Sequence, residues 1–317
     1  MNIIKYRYLY FGISLLVIVP GFIALLMWGF NTGIDFTGGS LLEVRLVNPS
    51  TMPTLQQIST IYGQNASAKN PISNPLVQPV GADSLSIRSK QMDEATKTAI
   101  VDAIKAQFKT DVVVLNFTNV SPAIGKEVAV RAAGAVALAA LGILLYITFA
   151  FRGVQHSFRY GTAAIIAMLH DVLVVVGIEA IVGHFLGWQA DSLFLTALLT
   201  VIGFSVHDTI VVFDRIRENS GIYRKLDYET LVNHSIVQSL DRSINTQLTV
   251  MITLFSLVLF GGDSIRHFVI ILLVGVFSGT YSSIFNAAPI LVVWENKEWR
   301  NWFRGGKNKP DEVIAPL

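Results

Sequence analysis

Six apolar stretches, each close to the length that crosses a bilayer, limit what this chain can fold into. They are Leu9 to Phe30, Ala129 to Phe151, Gly161 to Val182, Ser192 to Phe213, Leu248 to Gly261 and Phe268 to Trp294. A spanning helix needs about 20 apolar residues, because each adds about 1.5 Å toward a hydrocarbon core roughly 30 Å thick. The fifth stretch is short and is expected to begin earlier, near Ser243. A lone segment in lipid must satisfy its backbone polar groups internally, which selects helices. Charged residues are only 15% of the 317, against about 25% in soluble domains. The expected fold is an α-helical polytopic membrane protein with six transmembrane helices.

The distribution of Lys and Arg orients these helices. Lys5 and Arg7 precede the first span, Arg152 and Arg159 lie between spans two and three, and Arg215, Arg217, Arg224, Lys225 and Arg242 lie around the connection from four to five. The tail carries Lys297, Arg300, Arg304, Lys307 and Lys309, whereas Gly183 to Asp191 has no Lys or Arg. Both termini are therefore expected in the cytoplasm. Residues 31–128 then lie outside, in a bacterial inner-membrane reading the periplasm. The expected divisions are a first helix in 1–30, the external domain in 31–128, helices two to six in 129–294, and a cytoplasmic tail in 295–317. The first span is longer than a signal-peptide core and no small-residue cleavage site follows, so an uncleaved anchor is expected.

Residues 31–128 read as an α+β unit. Leu41 to Val47 alternates like a half-buried strand, and Thr54 to Gln64 reads as a helix with Thr51 or Thr54 as cap. Leu76 to Val80 and Ser84 to Arg88 are short strands around a turn at Gly81 to Asp83; Asp93 to Phe108 is a helix and Asp111 to Phe117 a strand. Strand–helix–strand–strand–helix–strand is the order of a small ferredoxin-like domain. That fold hosts many functions and names none. No acid–base pair or nucleophile constellation stands out, so a binding or lever domain is expected, not an enzyme. Gly33-Ile-Asp-Phe-Thr-Gly-Gly39 joins it to the first span, and Gly33, Gly38 and Gly39 with Asp35 are read as a hinge or close-approach segment.

Asp208 lies inside the fourth apolar stretch. A carboxylate near mid-bilayer costs roughly 2.5–3.5 kcal/mol on insertion scales, so it is retained where it pairs or works. The expected role is a proton or ion site; a structural ion pair at a helix end is the alternative. Ser205 shares its face, and adjacent His207 is expected to face the bundle as a satisfied polar residue. Asp171 in span three is a second intramembrane carboxylate and a further relay candidate, with Glu179 nearer the outer face. In span five, Arg242, Asn245, Thr246, Thr249, Thr253 and Ser256 recur at three- and four-residue spacing. Asp208 lies about 8 Å inside the charged end of span four, so we expect an Asp208–Arg242 pair that changes with protonation. Gly275, Gly279 and Ser283 form a small-residue ridge suited to close helix packing. Asn286 and Pro289 interrupt the last span. No cysteine is present, which excludes thiol chemistry, and no metal-ligand spacing, phosphate loop or dinucleotide fingerprint occurs. No cofactor, metal or nucleic acid is expected.

Five phrases together resemble the SecD/SecF family of protein-translocase subunits, within the larger RND superfamily. They are Gly33 to Gly39, Ser121-Pro-Ala-Ile-Gly-Lys-Glu127, Gly203 to Asn219, Arg242 to Thr249, and Gly279-Thr-Tyr-Ser-Ser283. The resemblance covers nearly the whole chain. One departure is His207, where the family more often has Asn. The resemblance implies half of an RND-type bundle, completed by six helices from SecD. It implies assistance to the SecYEG channel in exporting unfolded precursor proteins at the expense of the proton-motive force, with YajC as a further partner. It places the family's proton-carrying Asp at Asp208 and its span-five Arg at Arg242. Na⁺ in place of H⁺ remains open, since a carboxylate with nearby hydroxyls serves either.

Three other readings compete. An RND-type solute exporter half-unit would share proton coupling, but such proteins carry two large external domains and twelve spans. An intramembrane aspartyl protease would use Asp171 and Asp208, but the Gly-x-Gly-Asp phrase is absent: the segment reads Ser205-Val-His-Asp208. A non-catalytic assembly factor would make Asp208 structural.

Overall fold

The computed structural model describes residues 2–47, 52–65, 75–80, 83–154 and 156–298. After a 3-10 turn (Ile4–Tyr6) the chain runs through α1 (Arg7–Trp28), α2 (Ile34–Thr37), β1 (Gly39–Val47), α3 (Leu55–Asn65), β2 (Leu76–Val80), β3 (Ser84–Ser89), α4 (Glu94–Phe108) and β4 (Asp111–Val120). It continues through α5 (Pro122–Ala150), α6 (Ser157–Leu186), α7 (Ser192–Ile222), α8 (Tyr228–Phe260), α9 (Asp263–Ser282), a π-helical turn (Ser283–Ala287) and α10 (Ala288–Glu295). Among the described residues, six helical segments are long and apolar enough to cross a membrane.

The helices outrun the apolar stretches that announced them. Helix α5 begins at Pro122, where Ser121 caps it and the Ile124 amide donates to Ser121 Oγ at 3.4 Å. Proline at the first helical position costs no hydrogen bond. Helix α8 begins at Tyr228, well ahead of Ser243, because Asp227 caps it by accepting from the Thr230 amide at 2.9 Å. Hydropathy finds the part of a helix in lipid; capping residues find its ends.

The domain between α1 and α5 is a four-stranded antiparallel sheet in the order β2-β3-β1-β4, with α3 and α4 in the connections. This is the ferredoxin-like arrangement. In β1, Leu42, Val44 and Leu46 are buried against Ile58, Ile61 and Tyr62 of α3 and Ile100 and Ile104 of α4, while Glu43, Arg45 and Val47 face away. Asp93 lies just ahead of α4 and caps it, accepting from the Thr96 amide at 2.9 Å. Thr51, the Gly81–Ala82 part of the turn and the tail beyond residue 298 lie outside the described residues.

In the bundle, α6, α7 and the span running from α9 to α10 are the inner helices, and α1, α5 and α8 keep long exposed apolar faces such as Leu16, Leu138 and Ile252. Small residues set the crossings. A Cβ on Gly21 of α1 would come within 2.7 Å of Gly177 Cα on α6. On α9, Gly275 lies against Val201 and Gly279 against Ser205. Ser283, the next member of the ridge, is 2.9 Å from Thr209 Oγ1. In lipid, where apolar burial gains nothing, such close backbone approach is the main source of packing energy.

Candidate functional site

Asp208 sits in the middle of α7, buried on the face that also carries Ser205, Val212 and Ile216. Its Oδ2 accepts a hydrogen bond from Gln247 Nε2 of α8. No cation pairs with it among the described residues. Three buried polar atoms on its own and the facing turn have no hydrogen-bond partner there: Ser205 Oγ, Ser243 Oγ and Gln247 Oε1. A buried carboxylate with neutral polar neighbours and spare hydrogen-bonding capacity is chemically suited to take up and release a cation as small as a proton.

Arg242 is not its partner in this conformation. The expected pair is absent because Arg242 and Gln247 are five residues apart, which turns them about 140° from each other on a helix. The face of α8 toward Asp208 is Ser235, Ser239, Ser243 and Gln247, all buried. Arg242 is exposed and lines a cleft of about 180 Å³ with Asp214, Arg215 and Glu218. Asn245, Thr246, Thr249, Thr253 and Ser256 are likewise exposed. Thr246 Oγ1 donates to the Arg242 carbonyl at 2.8 Å, and Thr253 Oγ1 to that of Thr249 at 3.0 Å. His207 also points outward, not into the bundle as expected, because it lies about 100° round from buried Asp208. Sequence reasoning passed over Gln247 and Ser243. The four-residue recurrence of Ser235, Ser239, Ser243 and Gln247 was the signal that could have found them.

Asp171 forms a separate center. Ser278 Oγ and Ser282 Oγ of α9 each donate to it at 2.6 Å, and His170 Nδ1 lies 3.0 Å from Oδ1. His170 Nε2 is buried without a partner among the described residues. The two Asp residues accept from different donors, unlike an acid–base dyad sharing one proton. Nearby, Asn286 in the π-helical turn donates to Ser14 Oγ of α1 at 2.9 Å.

The glycine segment is a packed joint. Gly33 N donates to the Ala190 carbonyl at 2.6 Å, and Asp35 Oδ2 accepts from both Ser192 N at 2.8 Å and Ser192 Oγ at 2.6 Å. Asp35 thus holds the first turn of α7, the helix that carries Asp208. Arg88 of β3 donates to the Thr32 carbonyl at 3.0 Å. Burial lowers its guanidinium to about 10, opposed by Asp35 and Asp191. Gly38 has φ +76°, and a Cβ there would meet Pro122 Cα of α5 at 2.5 Å. The joint therefore touches the sheet domain, α5 and α7 at once. Among the described residues, no group of three or more His, Cys, Asp or Glu side chains is placed to hold a metal ion.

Comparison with known proteins agrees with this arrangement. The family profile "Protein export membrane protein SecD/SecF, C-terminal" matches residues 100–297, and "SecD/SecF GG Motif" matches residues 24–49. A protein named protein translocase subunit SecF from Anaerolinea thermophila is 54% identical, over 96% of this chain and 98% of its own. The protein of that name from Thermobaculum terrenum is 48% identical over 96% of this chain and 97% of its own. Among solved structures, SecDF from Thermus thermophilus, titled a translocon-associated membrane protein, aligns with a TM-score of 0.78 and 30% identity over 93% of this chain. This chain spans only 39% of that longer polypeptide. A structure titled SecDF in super-membrane-facing form aligns at 0.66, again with 30% identity, over 95% of this chain and 40% of its own. The chain belongs to the SecD/SecF family of protein-export membrane proteins.

Proposed function

We propose that this chain is an auxiliary subunit of Sec protein export that, together with SecD, converts the proton-motive force into movement of its external domain. The observation that carries the reading is Asp208: a buried carboxylate at mid-helix whose hydrogen-bond donor is the neutral amide of Gln247. A charge kept there without a cation is costly, and a bound proton removes the cost. In the deprotonated state Asp208 draws Arg242, which lies about 7.5 Å further along α8 by helical rise. In the protonated state Gln247 suffices. Sodium in place of the proton would use the same oxygen and the hydroxyls of Ser205 and Ser243, and Asn245, Thr246 and Asp171 belong to the wider relay.

The shift passes along α7 to Ser192, where Asp35 holds the helix start, and so to the joint of Gly33, Gly38 and Gly39 and the sheet domain. One proton crossing 100 mV contributes about 2.3 kcal/mol, and each pH unit about 1.4 kcal/mol. That biases a two-state packing of a few kcal/mol. The two SecDF structures are equally identical in sequence to this chain yet align at 0.78 and 0.66. The second is titled as a distinct, super-membrane-facing form, which supports a family that rearranges.

The outward polar face supports the partner. His207 and Asn245 are exposed on membrane helices, where lipid offers them no hydrogen bond. Six helices of SecD would cover them and complete the bundle. In this reading the chain is a transport subunit and not an enzyme. It lies in the bacterial inner membrane with both termini cytoplasmic, and acts beside SecYEG, with YajC, on unfolded precursors. The test is precursor export in inside-out vesicles carrying this chain and its SecD under an imposed proton gradient. Gradient-dependent stimulation is expected in the wild type and lost in Asp208→Asn; equal stimulation in both would end the proposal.

A further inference from the structure

We propose that Glu179 and His267 form a second proton-binding site, at the end of the bundle nearest the sheet domain. The inference deepens the reading above: its use in export rests on that reading, while proton binding itself does not.

Glu179 of α6 is 2% exposed, and its Oε2 lies 2.8 Å from His267 Nε2 of α9. Its other oxygen, Oε1, is buried and has no partner among the described residues. The His267 side chain is 20% exposed, and its ring packs 4.5 Å from the ring of Trp188 in the α6–α7 connection. One member of the pair therefore reaches the surface and the other is sealed inside. Glu179 is seven residues short of Leu186, the end of α6, which places it about 10 Å inside that end. The end is on the domain side, since Gln78 Nε2 of β2 donates to the Gly187 carbonyl at 2.7 Å.

The pair also lies on one seam with Asp171. Ser278 and Ser282, which hold Asp171, follow His267 by 11 and 15 residues. At about 100° per residue they point roughly 20° and 60° from it, so all three share one face of α9. On α6, Asp171 is eight residues beyond Glu179, about 12 Å deeper. The α6–α9 seam thus carries two ionisable centers at two depths, each with one buried polar atom unpartnered among the described residues: Glu179 Oε1 and His170 Nε2.

The proton step balances within the pair. A proton from the outer aqueous phase adds to the free nitrogen of the His267 ring, and the Nε2 proton passes to Glu179 Oε2. Imidazole ends neutral, the carboxyl ends protonated, and the pair has gained one proton. The facing segments Gly21 to Trp28 of α1, Ser192 to Leu199 of α7 and Leu254 to Phe260 of α8 contain no ionisable residue. On α6, His184 is stacked on Trp28 at 4.1 Å. Arg266, the neighbour of His267, is engaged in a contact of its own.

The test is infrared difference spectroscopy of the full chain with its SecD in lipid, stepped between about pH 5 and pH 8, where imidazole titrates. A protonated-carboxyl band is expected that disappears in Glu179→Gln and persists in Asp208→Asn. Its pH midpoint is expected to move in His267→Gln. If Glu179→Gln does not accumulate, Glu179→Leu, which removes the unpartnered buried oxygen of Glu179, gives the same readout. A spectrum in which neither variant removes a band, or in which His267→Gln leaves the midpoint in place, overturns the proposal. Gradient-driven export in the same variants separates the two readings. Export retained in Asp208→Asn with the Glu179 band intact defeats the coupling role and leaves the site standing. Export lost in Asp208→Asn with no Glu179 band defeats the site alone.

Discussion

The sheet domain buries Leu42, Val44, Ile87 and their neighbours, and among its described residues the buried polar ones are Ser40, Ser84 and Ser89; the helix bundle buries Asp171, Glu179, Asp208, Gln247, Asn219 and Asn286 and leaves leucines such as Leu16 and Leu138 on its surface. The two regions solve opposite solvent problems. In water the driving force is removal of apolar surface, so the domain hides its β-branched and aliphatic side chains. In lipid that force vanishes, so the bundle hides polar groups and holds itself together by close approach at Gly21, Gly177, Gly275 and Gly279. The proposed function places its protons in that polar interior.

This contrast can be broken or sharpened by substitution in the full chain. Ile87→Ala removes fully buried aliphatic volume from the sheet core and is expected to cost about 2–5 kcal/mol. Hydrogen exchange should accelerate in β1 and β3 and stay unchanged in α6 and α7. Ser278→Ala takes away one of two serine donors to Asp171, a loss of about 1–3 kcal/mol for a buried polar group deprived of a partner. Thermal melting in detergent should fall for the bundle while β-strand exchange is unaffected. Gly279→Leu forces α9 off Ser205 and is expected to cost about 1–3 kcal/mol by overpacking; crosslinking between cysteines placed on α7 and α9 should drop. Spread of either bundle effect into the sheet domain would show the two regions to be one cooperative unit.

The smallest effect separates the regions by pH. The Asp93 carboxyl is held below its ordinary value of 3.8 by hydrogen bonds from Thr96. A carboxyl lowered on folding adds stability above its unfolded value and loses it as pH falls through the folded one. Protection of the first-turn amides of α4, measured against their intrinsic exchange rates, should therefore fall as pH drops below 3.8. Asp93→Ala should abolish that dependence without touching the bundle.

Much of this was legible in the residues. The alternation of Leu42, Val44 and Leu46 and the strand–helix order correspond to the observed sheet, because periodicity acts over a few residues. Asp208 announced itself by polarity in an apolar run. Its donor did not. Arg242 drew attention as a charge, whereas Gln247 is neutral and Ser243 small, and neither stands out in a window that reads hydropathy. His207 was expected inside and lies outside, since adjacency in sequence says nothing about which helix face meets a neighbour.

The sequence by itself determined six spans, one ferredoxin-like domain, a glycine joint and a carboxylate within the membrane, because length, period and polarity are properties of a segment. The tertiary structure alone decided that Asp208 meets Gln247, that Asp171 meets Ser278 and Ser282, and that Glu179 meets His267. Those pairings depend on the rotation of each helix about its axis, and that rotation is set by which small residues of neighbouring helices can approach most closely.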